Sequence, residues 1–231
     1  MTPVRITPPT CVLLDLDGTL VDSAPGITAS AAAALRGVGA AVPAPAVLRG
    51  FVGPPMYESF RRTLGLDEET ALRALTAYRE RYAAAGALDS ALYDGVPEML
   101  DALSAAGLPL AVATSKVEDQ AVRITRHYGL DTRLVTVCGI SDAAGRTTKR
   151  QVIRECVARL RAHGADVGAP LMVGDRSYDM ESAAAEGVPA VHVRWGYGDA
   201  SESAGAVASV SGPAELIHLL TRGAYAPCGT E

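Results

Sequence analysis

An apolar run that ends in two carboxylates one residue apart constrains this chain most: Cys11 to Ser23 reads CVLLDLDGTLVDS. Side chains of an extended strand alternate faces, so Asp15 and Asp17 are expected to project the same way while Leu16 packs inward. Carboxylates held side by side at the end of a buried strand raise each other's pKa unless a cation or a proton lies between them. Gly18 permits a sharp exit from the strand and leaves backbone N–H groups to face an anion. A place that draws a divalent metal beside a place that draws an oxyanion points to phosphate chemistry. Asp-Gly alone is a common turn dipeptide; the full string behind an apolar strand is far more restrictive.

The rest of the chain alternates strands with helices. Apolar strand candidates are residues 11–16, 108–113, 134–138, 170–173, 190–193 and 206–210. Between most of them lie amphipathic stretches at 96–106, 117–128, 148–162 and 178–186, the first with Pro97 in its opening turn and each stopped by a glycine soon after its end. This rhythm predicts βαβ units and an α/β fold with a doubly wound parallel sheet. Ligands of such sheets lie at the carboxyl ends of the strands. Residues 20–92 break the rhythm: they offer helical stretches and no convincing strand, the clearest helix being 67–85 with Ala71, Leu75, Tyr78 and Tyr82 on one stripe. A helical cap inserted after the first strand is expected, giving a core of residues 1–20 and 93–231 and a cap of 21–92.

Composition narrows the function. The chain has 231 residues, 48% of them hydrophobic and 20% charged, enough for a substantial core. A net charge of -5 without a basic stripe argues against binding a nucleic acid polymer. Mean hydropathy is +0.16, owed largely to alanine, and no apolar run approaches the ~18–20 residues of a membrane span. No signal-like segment opens the sequence, so a cytoplasmic location without membrane attachment is expected. Cys11, Cys138, Cys156 and Cys228 show no paired spacing and read as reduced, structural thiols. His127, His163, His192 and His218 lack ligand spacing, which argues against zinc.

The open-sheet rule can be tested on the polar residues. The strand LPLAVATSK ends in Thr114, Ser115 and Lys116; GRTTKRQVI sets Lys149 at a helix start; LMVGDRSYD ends in Asp175 with Asp179 four residues on. Each alone has a plainer explanation, as a helix cap, a turn or a solvated charge. Yet among 21 basic residues only Lys116 and Lys149 are lysines. A chain that writes arginine almost everywhere has kept a compact ammonium at two places, both next to the acidic pair. A point charge suits a phosphate held near a carboxylate better than a planar fork does.

DLDGT, the Thr114 strand end, Lys149 and GDRSYD, in that order, resemble the four motifs of the haloacid dehalogenase superfamily, and the helical insert resembles its C1 cap. LYDGVPEML, AVATSK, FVGPPMYESF and RWGYGDASE are similar to the phosphoglycolate-phosphatase-like and 5′-nucleotidase-like branch. The resemblance implies a Rossmann-like core and an enzyme that hydrolyses a small phosphorylated metabolite. Asp15 would be the nucleophile, forming an aspartyl-phosphate, and Asp17 the acid and then the base. Mg2+ would lie between Asp15, the main chain of Asp17, and Asp175, with Asp179 steadying those ligands. Gly18, Thr19, Thr114, Ser115 and Lys149 would hold the phosphoryl oxygens, and Arg49, Gly53 and Tyr57 of the cap would meet the rest of the substrate. Asp17 favours phosphate esters over haloacids, since dehalogenases do without that second acid. A β-phosphoglucomutase-like mutase keeps both aspartates and is the alternative. A receiver-like signalling switch would carry its acidic residue on a middle strand and no cap. Oligomeric state is not legible in the sequence.

Overall fold

The computed structural model describes residues 4–225, which leaves Cys228 outside the described residues. In chain order the strands are β1 (Val4–Arg5), β2 (Cys11–Leu14), β3 (Val21–Asp22), β4 (Ala91–Leu92), β5 (Leu110–Val117), β6 (Thr136–Ile140), β7 (Pro170–Gly174), β8 (Ala190–Val193), β9 (Ala208–Val210) and β10 (Ala224–Tyr225). The helices are α1 (Ala24–Gly37), α2 (Pro45–Arg49), α3 (Met56–Glu58), α4 (Glu68–Ala84), α5 (Val96–Ala105), α6 (Glu118–His127), α7 (Lys149–Ala162), α8 (Ser177–Ala184) and α9 (Pro213–Arg222). The chain divides into two compact units, Met1–Leu20 with Leu92–Glu231, and Val21–Ala91.

The first unit is built on a six-stranded sheet of order β6-β5-β2-β7-β8-β9, in which every pairing is parallel. Leu13 of β2 lies between Ala111 of β5 and Met172 of β7, so the acidic motif leaves from the middle of the sheet. β2 reads CVLL and is buried along its whole length, as a central parallel strand with both faces covered must be. On one face Cys11, Leu13, Ala111, Ala113, Cys138 and Met172 pack with Val152, Ile153, Cys156 and Leu160 of α7 and Met180 and Ala183 of α8. Helices α5 and α9 pack together and against β5 and β9. Cys11, Cys138 and Cys156 are buried free thiols.

Strand ends differ from the sequence expectation. β2 stops at Leu14, so Asp15 and Asp17 lie just beyond the strand, ahead of the turn that starts at Gly18. β5 runs on through Val117, beyond the expected 108–113, and Thr114, Ser115 and Lys116 are among its last residues, as the reading of LPLAVATSK expected. Val117 still pairs with Ile140 of β6 past an irregularity after Ala113. Helix α7 starts where a capping box predicts: Thr148 accepts from Gln151 N, and the Gln151 side chain accepts from Thr148 N.

The second unit is helical, except that β3 and β4, two residues each, pair at its ends, where no strand is evident in the sequence. Helix α1 packs on α4. Just past the end of α4, Gly26 and Gly86 let the backbones touch: a Cβ on Gly26 would overlap Gly86 O. Along α4, Ala71, Ala74 and Tyr82 are buried, with Leu75 and Tyr78 half-buried beside them. The Tyr78 and Tyr82 rings stack at 5.5 Å. Phe51 and Phe60 meet edge to face at 6.1 Å.

Candidate active site

Four polar segments of the first unit converge beyond the strand ends. Asp15 follows β2 directly, and its N–H donates to Val173 O at 2.9 Å, carrying the β2–β7 ladder one step past the strand. Gly18 turns the chain at φ +84°, and a Cβ there would overlap the Asp175 carboxylate, so glycine is required twice over. Helix α7 opens on Lys149, a position where the helix dipole disfavours a cation. Carboxylates offset that cost: Lys149 Nζ lies 2.7 Å from Asp15 Oδ1 and 2.7 Å from Asp179 Oδ1, with its side chain 1% exposed. The other lysine behaves alike, Lys116 Nζ lying 3.0 Å from Asp17 Oδ2. Both ammonium groups singled out by composition thus contact the acidic pair.

Asp175 follows β7 and Asp179 lies in the first turn of α8, where its Oδ2 accepts from Arg176 N at 3.1 Å. Asp179 therefore caps a helix and pairs with Lys149 at once. Asp15, Asp175 and Asp179 each offer an oxygen within 4.8 Å of the others. The Asp17 carboxylate stands outside this trio, on Lys116.

Electrostatics mark Asp15 and Asp175 as short of positive charge. Burial pushes Asp15 up to about 6 even though Lys149 beside it pulls the other way. Burial pushes Asp175 up to about 8, and Asp179 and Asp15 add to the shift. Burial depresses Lys149, yet Asp15 and Asp179 outweigh it and hold the ammonium above its usual range. Asp175 Oδ1 is buried without a partner. An orphaned carboxylate oxygen among hard oxygen donors fits a small divalent cation such as Mg2+.

The remaining residues expected at the site sort by their contacts. Thr114 is buried, and its Oγ1 accepts from Lys116 N at 3.3 Å. Ser115 Oγ and Thr19 Oγ1 are buried and unpartnered, two hydroxyls able to bind phosphoryl oxygens. The Thr19 N–H reaches back to Leu16 O at 3.4 Å, a weak bond, so Thr19 offers its hydroxyl more freely than its amide. In the second unit Arg49 is exposed at the end of α2, Gly53 has φ +103°, and Tyr57 is half-buried in α3.

Three contacts had no signal in the motif spacing. His192 Nε2 donates to Asp175 O at 3.0 Å, Trp195 Nε1 donates to Thr19 O at 3.0 Å, and Tyr197 N donates to Asp175 Oδ2 at 2.7 Å. The Trp and Tyr lie in the RWGYGD stretch, visible in the sequence only as a resemblance.

The family model described as "Haloacid dehalogenase-like hydrolase" matches residues 12–193. The chain belongs to this family. Among its relatives, the Mycobacterium tuberculosis protein named tyrosine-protein kinase PtkA is 44% identical over 83% of this chain, which spans only 64% of that longer protein. A Pseudomonas aeruginosa 5′-nucleotidase is 39% identical over 83% of this chain and 85% of its own length. A Cupriavidus necator phosphoglycolate phosphatase is 32% identical over 95% and 96%. The solved structure described as "a predicted phosphatase" from Clostridium acetobutylicum superposes with TM-score 0.85 at 34% identity, over 94% of this chain and all of that one. Membership of this family accords with the parallel sheet and its flanking helices. No helix among the described residues is long and apolar enough to cross a membrane.

Proposed function

We propose that this chain is a Mg2+-dependent phosphatase acting on a small phosphomonoester through an aspartyl-phosphate on Asp15. The observation that carries the reading is the buried Asp15–Lys149–Asp179 ion-pair chain beside Asp175, with Asp17 held by Lys116. Asp15 attacks phosphorus as the P–O bond to the leaving group breaks, and Asp17 gives that alkoxide its proton. Water then attacks phosphorus, Asp17 takes the proton, and inorganic phosphate leaves with Asp15 restored. Lys149, Thr114 and the Thr19 and Ser115 hydroxyls orient and neutralise the phosphoryl group. Asp15 and Asp175, steadied by Asp179, would hold Mg2+, which when bound neutralises charge on the transferring group. The relatives' names support a phosphoglycolate or nucleoside 5′-monophosphate substrate. The second unit is proposed as a C1-type cap that selects among such esters.

The likeness to PtkA favours a second reading, in which a tyrosine hydroxyl replaces water as the phosphoryl acceptor. One experiment addresses both. Phosphate release from p-nitrophenyl phosphate and a panel of small phosphomonoesters is measured with Mg2+ and with EDTA, alongside mass spectrometry of tyrosine peptides incubated with the protein and a phosphoryl donor. Release confined to one group of esters, abolished by EDTA and by Asp15→Asn, is the expected result. Substantial release by Asp15→Asn would sink the assignment, and peptide phosphorylation without release would favour the transferase.

A further inference from the structure

The segment after β8 meets the site through its backbone as much as through its side chains. Tyr197 N takes Asp175 Oδ2 at 2.7 Å, while Asp175 Oδ1 stays buried and unpartnered. Trp195 Nε1 takes Thr19 O at 3.0 Å, on the turn that carries Asp17 and Gly18. Gly196 lies between these two contacts, where a Cβ would overlap Gly18 O and the Asp175 side chain. A Cβ on Gly198 would overlap Asp175 O, the same oxygen that accepts from His192. Neither glycine is among the positive-φ glycines. Close approach, not backbone conformation, is what demands glycine at these two positions.

We propose that Trp195–Gly198 is a positioning strap that fixes Asp175 and the Asp15–Thr19 turn relative to each other. One Asp175 oxygen is committed to the strap and the other is left for a cation. The inference rests on the phosphatase reading and adds to it positioning residues that touch neither phosphorus nor metal. A carboxylate pinned through one oxygen has fewer orientations to lose on binding a cation, and a turn pinned at Thr19 O holds its hydroxyl and the Asp17 side chain in one arrangement.

The test compares wild type, Trp195→Phe and Gly196→Ala by Mg2+ titration calorimetry, by kcat and KM on p-nitrophenyl phosphate, and by thermal melting. Trp195→Phe keeps an aromatic ring and removes one donor. It is expected to lower kcat roughly three- to tenfold with KM unchanged, the loss of about one hydrogen bond felt at the reacting groups. Gly196→Ala is expected to weaken Mg2+ binding by about tenfold or more, because the strap must move off Asp175. Folded variants that keep wild-type kcat and Mg2+ affinity overturn the proposal, as does a change confined to melting temperature. If Gly196→Ala does not fold, Trp195→Phe alone decides. A wild type that binds Mg2+ yet releases no phosphate would overturn the phosphatase reading, while the calorimetric comparison would still judge the strap.

Discussion

Asp175 behaves unlike a carboxylate in an ordinary salt bridge, because burial and two neighbouring aspartates push it up to about 8. Its ordinary value is 3.8, so between the two the folded protein keeps a proton that the unfolded chain has lost. Its contribution to the stability of the metal-free protein is therefore complete below the unfolded value and is lost as pH rises through about 8. Asp15 acts in the same direction, but its window closes near 6. His192, which burial depresses, loses its contribution on the acid side instead. Urea unfolding in EDTA between pH 7 and 8.5 follows Asp175 after Asp15 has titrated: stability should fall by up to about 1.4 kcal/mol per pH unit near pH 7 and level off past about 8. Asp175→Asn should flatten the slope, and saturating Mg2+ should do the same by taking the proton's place. An unchanged slope in Asp175→Asn would assign the dependence to another group. The need for positive charge here was legible in the sequence, because carboxylates crowded at strand ends require a cation and because only two lysines interrupt the arginines. The partner of each lysine was not legible: Lys149 is 134 residues from Asp15, and only the sheet order joins them.

Glu118, at the start of α6, links the carriers of the two lysines. Its Oε2 accepts from Gly139 N at 3.0 Å and from Arg146 Nη2 at 2.5 Å, and its Oε1 accepts from Arg159 Nη2 at 3.1 Å. Arg146 in turn donates through Nε to Gly139 O at 2.7 Å. Glu118 thus ties the end of β5, with Thr114 and Lys116, to β6 and to the loop that delivers Lys149. Gly139 allows this closeness, since a Cβ there would lie 2.5 Å from Lys116 O. Glu118→Gln keeps the shape and removes the charge that two guanidinium groups share. It should cost about 1–3 kcal/mol in urea unfolding and lower kcat with it. Full activity in a destabilised Glu118→Gln would show that the tie holds the fold and not the lysines. The same elements mark the limits of local sequence reading. β5 extends past Ala113 across a break in register to a last pairing of Val117 with Ile140 of β6, while β2 ends at Leu14, shortly before the turn at Gly18. Strand length here is set by neighbours distant in sequence, to which local propensity is blind.

At the scale of the whole chain, regular alternation exposed the parallel sheet, since strands buried on both faces read as unbroken apolar runs. The helical segment betrayed itself by lacking them. What did not show was the use of the stretch after β8, because backbone contacts such as Tyr197 N on Asp175 leave no side-chain signature. The division into two units also divides the chemistry. The carboxylates, lysines and hydroxyls of the candidate site belong to the first unit, and these groups suit a phosphoryl group and a metal, which all phosphomonoesters share. Discrimination among esters must then come from groups that meet the rest of the molecule. The second unit, with exposed Arg49 and half-buried Tyr57, is the proposed source. Arg49→Ala and Tyr57→Phe should accordingly leave kcat and KM for p-nitrophenyl phosphate near wild type. They should raise KM for the preferred natural ester by roughly threefold to tenfold, the worth of about one polar contact. Equal losses on every substrate would instead make these residues part of the shared machinery, and no loss on any would move substrate choice to the first unit.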